Sequence, residues 1–411
     1  PKNAQDIIPI KAIWDDGIFE VQKNKFSKCY KFLDINYAVA SHEDKESMFL
    51  DYSDLLNSLD NGATSKITIN NRRINKIDFE KTILMKDVGD GLDKYRHEYN
   101  QMLLDKAKGA NGIIQEKIIT ISVNKKNIEE ARNYFARTTS ELMNHFSVLG
   151  SKCIELDAEE RLRIYHDFYR VGEETSFRFG MKENLRKGHN FKDFICPDTF
   201  EQNKDYFKVG DRYGRVLFLK EYASYIKDSM VTELTELNRN MMLSIDIIPV
   251  PMDEAVREAE NRRLGVETNI TQWQRKQNAN NNFSAIIPYD MEMQRKESKD
   301  FLDDLIQRDQ RMFLCVLTIV HTADTKDQLD ADTESLKTTA SKNLCQLGIL
   351  RFQQLDGLKT VMPFGQRKID ALRTLTTESL AVFMPFKVQE IRHDNGIYYG
   401  QNIISKNMII A

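Results

Sequence analysis

Three clusters of titratable residues in this chain could do chemistry. The stretch "SHEDKE" (41–46) puts His42, Glu43 and Asp44 together, the residue types of a metal site. The stretch "IYHDFY" (164–169) sets His166 beside Asp167, the pairing that general-base work needs. His321 closes a strongly apolar run and is followed by "TADT", which contains Asp324. Such strand-to-helix junctions are where α/β active sites often sit. Each cluster also has a plainer reading, and the plainer one is preferred. Adjacent helical residues do not share a face, so 42–44 make a poor metal site and a good helix start. His166 lies near the charges of "EERLR" and reads as a surface residue, and His321 reads as a structural cap.

The spaced motifs of nucleotide and hydrolase chemistry are missing. No Gly is followed by Lys, so the phosphate-cradling G-x-x-x-x-G-K-[ST] loop does not occur, and neither do G-x-G-x-x-G, G-x-S-x-G or H-E-x-x-H. No catalytic, cofactor-binding or metal-ligating residue is assigned. Cysteines stand at 29, 153, 196, 315 and 345, an odd number without a C-x-x-C pair, and read as reduced thiols of a cytosolic compartment. Lys23, Lys25, Lys28 and Lys31 are the clearest basic cluster. They read as a solvated face, with a phosphate- or headgroup-binding stripe as the alternative. The net charge of −3 gives no global argument for nucleic-acid binding. Apolar runs such as "MFLCVL" (312–317) fall far short of the roughly 20 residues that a membrane-spanning helix takes.

The elements that would position these residues are mixed α and β. With 411 residues, two or three domains or subdomains are expected. The first hundred residues read as β-rich: strands at 18–21 and 26–33, a helix from His42 to about Leu59 capped by Ser41 with an Asp44 capping box and closed by Asn61-Gly62, and a strand over "KITINNRR". A strand–helix–strand unit follows: "KIITISV" (117–123), a helix capped by Asn127 with Glu130 and stopped by Gly150, and "KCIEL". The same grammar returns as "MFLCVLTIV" (312–320), a helix capped by Thr325 with Gln328 and ended by Leu347-Gly348, and "ILRFQ". The two units read as halves of a pseudo-repeat of ferredoxin-like kind, an α+β fold. Between them lie a hairpin at 206–219, a helix from Ile226 to Asn238 and a strand at 242–250. Two charged helices over about 251–310 read as a protruding helical hairpin, either a solvated structural element or a partner-docking arm.

Several segments, taken in order, resemble one family: "AQDIIPI" (4–10), "DINYAVASHEDK" (34–45), "RMFLCVLTIVHTADTKDQLD" (311–330), "RFQQLDGLKTVMPFG" (351–365), "LTTESLAVFMPF" (375–386) and "IYYGQNIISKNMII" (397–410). They look like the N-terminal portion of the TraE/CagE-type ATPases of conjugation and type IV secretion, in the versions on mobile elements of Gram-positive bacteria. The most specific parts are Thr376, Thr377 and Ser379, then Pro385-Phe386, then the strand with Tyr399, Gly400 and Asn402. These are the candidate interdomain or interaction residues.

The resemblance implies a non-catalytic assembly and coupling region that precedes a RecA-like motor. ATP and Mg are implied for the full-length parent and no cofactor for these residues. It implies docking to other subunits of a membrane channel, a homo-oligomer formed through the motor domain, and a cytoplasmic position peripheral to the inner face of the membrane. Direct nucleic-acid binding is not expected. Pro1 and the apolar ending at Ala411 are expected to be cut points, with a phosphate-binding loop following shortly after Ala411. The expected organisation is a β-rich subdomain at 1–110, an α/β body at 111–385, and the first motor-domain strands, entered through an Asn395-Gly396 turn, at 386–411. Two alternatives stand beside this: a cytosolic α/β enzyme using His321, Asp324 or the His166–Asp167 pair, and an adaptor without a motor.

Overall fold

The computed structural model describes residues 3–73, 84–109, 113–173, 177, 190–223, 225–236, 240–388, 398–401 and 408–410. The chain opens with short strands β1 (Ala12–Ile13) and β2 (Phe19–Gln22), then β3 (Lys25–Phe32), α1 (His42–Asn57), β4 (Ala63–Arg73), α2 (Asp93–Gly109), β5 (Ile113–Asn124), α3 (Ile128–Leu149), β6 (Cys153–Glu155) and α4 (Ala158–Tyr169). β5 pairs antiparallel with β3 on one side and β4 on the other, while β6 flanks β3 on its far side. The spatial order β4-β5-β3-β6 makes both β3-α1-β4 and β5-α3-β6 split β-α-β units. That interleaving defines a ferredoxin-like unit.

The second half repeats the plan. It runs β7 (Phe200–Gln202), β8 (Phe207–Val209), β9 (Arg212–Glu221), α5 (Met230–Leu234), β10 (Met241–Pro249), α6 (Met252–Ala279), α7 (Tyr289–Gln307), β11 (Met312–Ala323), α8 (Lys326–Lys342), β12 (Gln346–Ile349) and α9 (Gln354–Val361). Its order is β10-β11-β9-β12, the same interleaving. Small features recur too, such as the β1-β2-β3 and β7-β8-β9 meanders, and α4 and α9 after the last strands. The equivalent strands β4 and β10 pair antiparallel, from Asn71 opposite Met241 to Ser65 opposite Ile247. This joins the units edge to edge, as a local two-fold axis would, in one thirteen-stranded sheet. The remaining elements are β13 (Arg373–Thr376), α10 (Thr377–Ala381) and a separate antiparallel pair, β14 (Tyr398–Gln401) and β15 (Met408–Ile410).

Alternation along each strand sends residues to two covered faces. Phe26, Tyr30, Ile67, Ile119, Leu243 and Leu317 face one core beneath α1, α3, α5, α8 and α10. Cys29, Ile118, Val216, Met242 and Val320 face a second core beneath α4 and α9. The fold is thus α+β with a pseudo-repeat, as expected from the strand–helix–strand grammar. The expected division near residue 110 falls between β4 and β5, which pair over eleven residues. The repeat itself divides the chain after α4.

Several local expectations are corrected. α8 ends at Lys342, and Leu344, not a glycine, takes the left-handed conformation at φ 58°. Leu347-Gly348 lie inside β12, which is the returning strand and ends at Ile349, where "ILRFQ" was expected to begin. The helix expected over 226–238 is the single turn α5; residues 237–239 lie outside the described set. Ser41, Asn127 and Thr325 cap their helices by accepting from Asp44 N, Glu130 N and Gln328 N. The reciprocal half of two of these boxes is replaced: Glu130 accepts from Lys126 N, and Gln328 donates to Asp332. α1 ends at Asn57, before the Asn61-Gly62 turn. In the 206–219 hairpin, which Gly210 and Gly214 were expected to bracket, Gly214 lies within β9, where a Cβ would stand 2.2 Å from the Phe207 ring. The Asn395-Gly396 turn and Asn402 lie outside the described residues.

Candidate functional site

Many polar residues of β3, β4, β5 and β10 are buried, among them Ser27, Lys66, Thr68, Ser122 and Ser244. The end of α9 and the chain that follows it cross them as a strap, residues 360–367. Its carbonyls are taken up one after another by side chains of the sheet and of α4. Lys66 Nζ donates to Thr360 O, and to Gln366 O at 2.7 Å. Ser244 Oγ donates to Val361 O at 2.5 Å, Tyr165 to Pro363 O at 2.6 Å, Ser27 to Phe364 O at 2.7 Å and Ser122 to Gly365 O at 2.9 Å. Gly365 has φ +90°, and a Cβ there would stand 2.3 Å from Ser122 Oγ. Val361, Met362 and Phe364 are fully buried between these bonds, and Phe364 stacks on Tyr165 at 4.5 Å between ring centroids. Buried carbonyls need donors, so the polar face and the strap require each other.

Two cations organise this contact. Arg161, in α4, is fully buried. Its Nε donates to Tyr165, Nη1 to Gly17 O at 3.1 Å and Ser27 O at 2.8 Å, and Nη2 to Ser27 Oγ at 2.6 Å, Phe364 O at 3.2 Å and Pro363 O at 3.3 Å. Its guanidinium lies 4.2 Å from the centre of the Phe19 ring. Among the described residues no carboxylate pairs with it. Lys66, also buried, faces Asp246 at 3.2 Å across β4 and β10. Burial pushes the Lys66 ammonium down and the Asp246 carboxyl up, each against the attraction of its partner.

The strap leads into β13 and α10, where the expected motif residues gather at the root of the α6–α7 arm. Thr376 caps α10, accepting from Ser379 N. Buried Thr377 donates to Asn57 Oδ1, at the end of α1, at 2.6 Å, and accepts from Arg311 N at 2.8 Å. Gln310 accepts from Glu378 N at 2.7 Å. One hydroxyl therefore ties the first unit, the arm's return strand and α10. Pro385 and Phe386 are buried; Phe386 packs edge-on against Phe32 and Tyr52. Apart from Ser379, which is exposed, these motif residues are buried and bind parts of one body together. Tyr399 and Gly400 lie in β14. The arm ends in the opposite character: Phe283, Ile286 and Tyr289 at its tip are all exposed.

The catalytic candidates are dispersed. His42 is exposed and faces Glu46 at 3.2 Å. His166 is buried, not on the surface; its Nδ1 stands 3.1 Å from Asp167 Oδ1 and its ring 4.8 Å from that of Phe177. Asp167 is also 3.7 Å from both Arg72 and Arg163, so its charge is shared within an ion network. His321 lies within β11, which runs on to Ala323; it is fully buried and its Nε2 is 2.9 Å from Thr333 Oγ1. Asp324 is exposed and pairs with Arg212 at 2.5 Å. His166 and His321 serve opposite faces of the sheet. The four lysines do not form a stripe: Lys23 is exposed in a turn, Lys28 pairs with Glu155 at 2.5 Å, and Lys31 lies 3.9 Å from Glu116.

All five cysteines are free, and all but the half-buried Cys196 are buried; burial pushes the Cys153 thiol up to about 12. No group of three or more His, Cys, Asp or Glu able to hold a metal occurs among the described residues. Among them, too, no helix is long and apolar enough to cross a membrane. Fold and site define a tandem ferredoxin-like scaffold with an inserted arm. In comparison with known proteins, no family model and no curated protein matches the chain.

Proposed function

We propose that this chain is the non-catalytic assembly and coupling region of a type IV secretion or conjugative transfer ATPase, peripheral to the cytoplasmic face of a membrane channel. The observation that carries the reading is the joint at Thr377. The arm, the first unit and the chain running toward β14 meet at one buried hydroxyl. A motor that cycles needs an attachment that does not, and a body whose sheet is crossed by the buried strap supplies a stiff one. The arm's exposed tip is the natural contact for other channel subunits, and oligomerisation would come from the motor. Clustered Lys and Arg are needed to track phosphates, and the dispersal of Lys23, Lys28 and Lys31 supports protein contacts over direct nucleic-acid binding.

The test is to express the 411-residue chain in donor cells carrying a conjugative element of the resembled type. The chain should co-purify with channel subunits and lower transfer in a dominant manner. Purified alone, it should hydrolyse no ATP above background. Robust turnover, or a chain that neither co-purifies nor alters transfer, overturns the reading.

A further inference from the structure

The outer edge of the second unit is the short strand β12, which pairs with β9 alone among the described residues. Two bulky apolar side chains flank it in the open: Leu344 is 77% exposed and Phe352 71%. Both hold left-handed backbone, at φ 58° and 61°; among the described residues the other non-glycine positions with positive φ are all Asn or Asp. The first unit shows what the position before the edge strand ordinarily takes. There Gly150 N donates to Ser147 O and Ser151 N to Phe146 O; here Leu344 N donates to Ser341 O and Cys345 N to Ala340 O. This is one helix-ending motif, built on glycine in the first unit and on leucine in the second. Leucine at that position is both strained and solvated, and its exposure leaves little within the chain to offset either. Phe352 N donates to Lys204 O at 2.7 Å and its ring lies 5.6 Å from the Lys204 ammonium, which holds the turn but leaves most of the ring in water.

The edge is complementary to itself. Gly348 stands opposite Phe218, and Leu350 N donates to Val216 O. Antiparallel alternation therefore turns the N–H and C=O of Leu347 and Ile349 away from β9. When a second β12 is set antiparallel to the first about a two-fold axis at Gly348, Leu347 of each copy meets Ile349 of the other. The outward groups then exchange their hydrogen bonds. The same axis brings Leu344 of each copy to the end where Phe352 of the other lies, because positions 344 and 352 are equally far from 348. Within one chain β4 and β10 already join the two units edge to edge in this way.

We propose that β12 is a self-association edge, where two copies of this chain continue their sheets through an isologous β12–β12 pair closed at each end by Leu344 against Phe352. The strand has four residues, so the contact is small and the dimer is weak, with a dissociation constant in the micromolar range. The proposal stands apart from the secretion reading and uses none of its evidence.

Sedimentation of the whole chain from about 1 to 100 µM, the range of a weak contact, tests it. The mass should rise from that of one copy toward that of two. Leu344→Gly relieves the left-handed strain and removes the apolar contact. It should melt no lower than the parent while dimerising at least about tenfold more weakly. A leucine that served only its own copy would lower the melting midpoint and leave association unchanged. The register is read with a short bis-maleimide. Copies carrying Leu344→Cys, mixed with copies carrying Phe352→Cys, should cross-link to each other, and neither variant alone should exceed the parent. A monomer at every concentration, a Leu344→Gly variant that associates like the parent, or cross-links that form within one variant and not between the two overturns the proposal.

Discussion

Replacing Arg161 with lysine keeps a positive charge and removes the planar fork. The guanidinium reaches Gly17 O, Ser27 O, Ser27 Oγ, Pro363 O and Phe364 O from one fixed plane, and closes over Phe19. A lysine has three donors on one point and cannot serve both Gly17 and the strap. Two acceptors at least lose their donor. Each buried group left unsatisfied costs about 1–3 kcal/mol, so the expected loss is about 4 kcal/mol. At roughly 2 °C per kcal/mol for a unit of this size, the melting midpoint should fall by about 8 °C. Arg161→Met should be no better. Apolar replacement of a buried charge is tolerated when its partners go too, and here the carbonyls remain. The assay is a thermal melt followed by trypsin digestion below the midpoint. Cleavage after Arg367 and Lys368 should rise as the strap loosens. A variant melting within about 1 °C of the parent, with those bonds equally protected, would refute the idea that Arg161 fastens the strap.

Three further outcomes are expected. Gly365→Ala combines a left-handed backbone with a Cβ 2.3 Å from Ser122 Oγ and 2.7 Å from Ser27 Cβ; it should cost about 3 kcal/mol in denaturant unfolding. Thr377→Val removes the bonds to Asn57 and Arg311, and should cost about 2 kcal/mol. Hydrogen exchange should then quicken at the arm root while the β4–β10 amides keep their protection. Burial alone would raise the Glu116 carboxyl, but Arg72, then Lys31, hold it below its usual value of 4.5. A depressed carboxylate stabilises the fold above its unfolded pKa, and that contribution is lost as pH falls through the lower folded value. Glu116→Gln should therefore be less stable than the parent near neutrality and flatten the fall in stability below pH 4.5. Melting midpoints measured across that range check the sign.

Much of the architecture is legible in the sequence because its signals are local. The caps at Ser41, Asn127 and Thr325 and the alternating strands depend on residues a few positions apart. The first split β-α-β of each unit is harder to read. One contains only the short α5 and the other ends in the insertion that carries α2, so neither shows a clean period. Leu344 escapes because a left-handed residue at a helix end is expected to be glycine. The strap escapes for a different reason. Ser27, Lys66, Ser122 and Arg161 are polar, and polarity at alternate positions reads as a solvent face. Here the covering element is main chain, whose carbonyls need donors, so polar side chains are the ones that suit burial. The motif around Thr376 and Thr377 was visible in the sequence, but the depth of its burial was not.

The antiparallel pairing of β4 with β10 has a consequence for how force would travel. Equivalent loops of the two units point to opposite ends of the sheet, so the arm leaves at one end and the insertion holding α2 at the other. The segment from 376 to 388 spans that length. It starts at the arm root through Thr377, crosses the helical face at Phe386, and ends with Lys387 N and Val388 N held by Asp34 at 2.8 and 3.3 Å. Further on, Tyr398 N meets the hydroxyl of Tyr99 in α2 at 2.8 Å. Between Thr377 and Val388 the segment is thus held at each end by hydrogen bonds and in the middle by edge-on aromatic contacts, a continuous path from the arm root to Asp34. Cutting the root with Thr377→Val should uncouple the ends without unfolding either unit. Replacing Phe386 with alanine should instead loosen the middle and lower the stability of the first unit by about 3–5 kcal/mol. If both changes quickened exchange in the same residues, the segment would be packing alone and not a connection between the two ends.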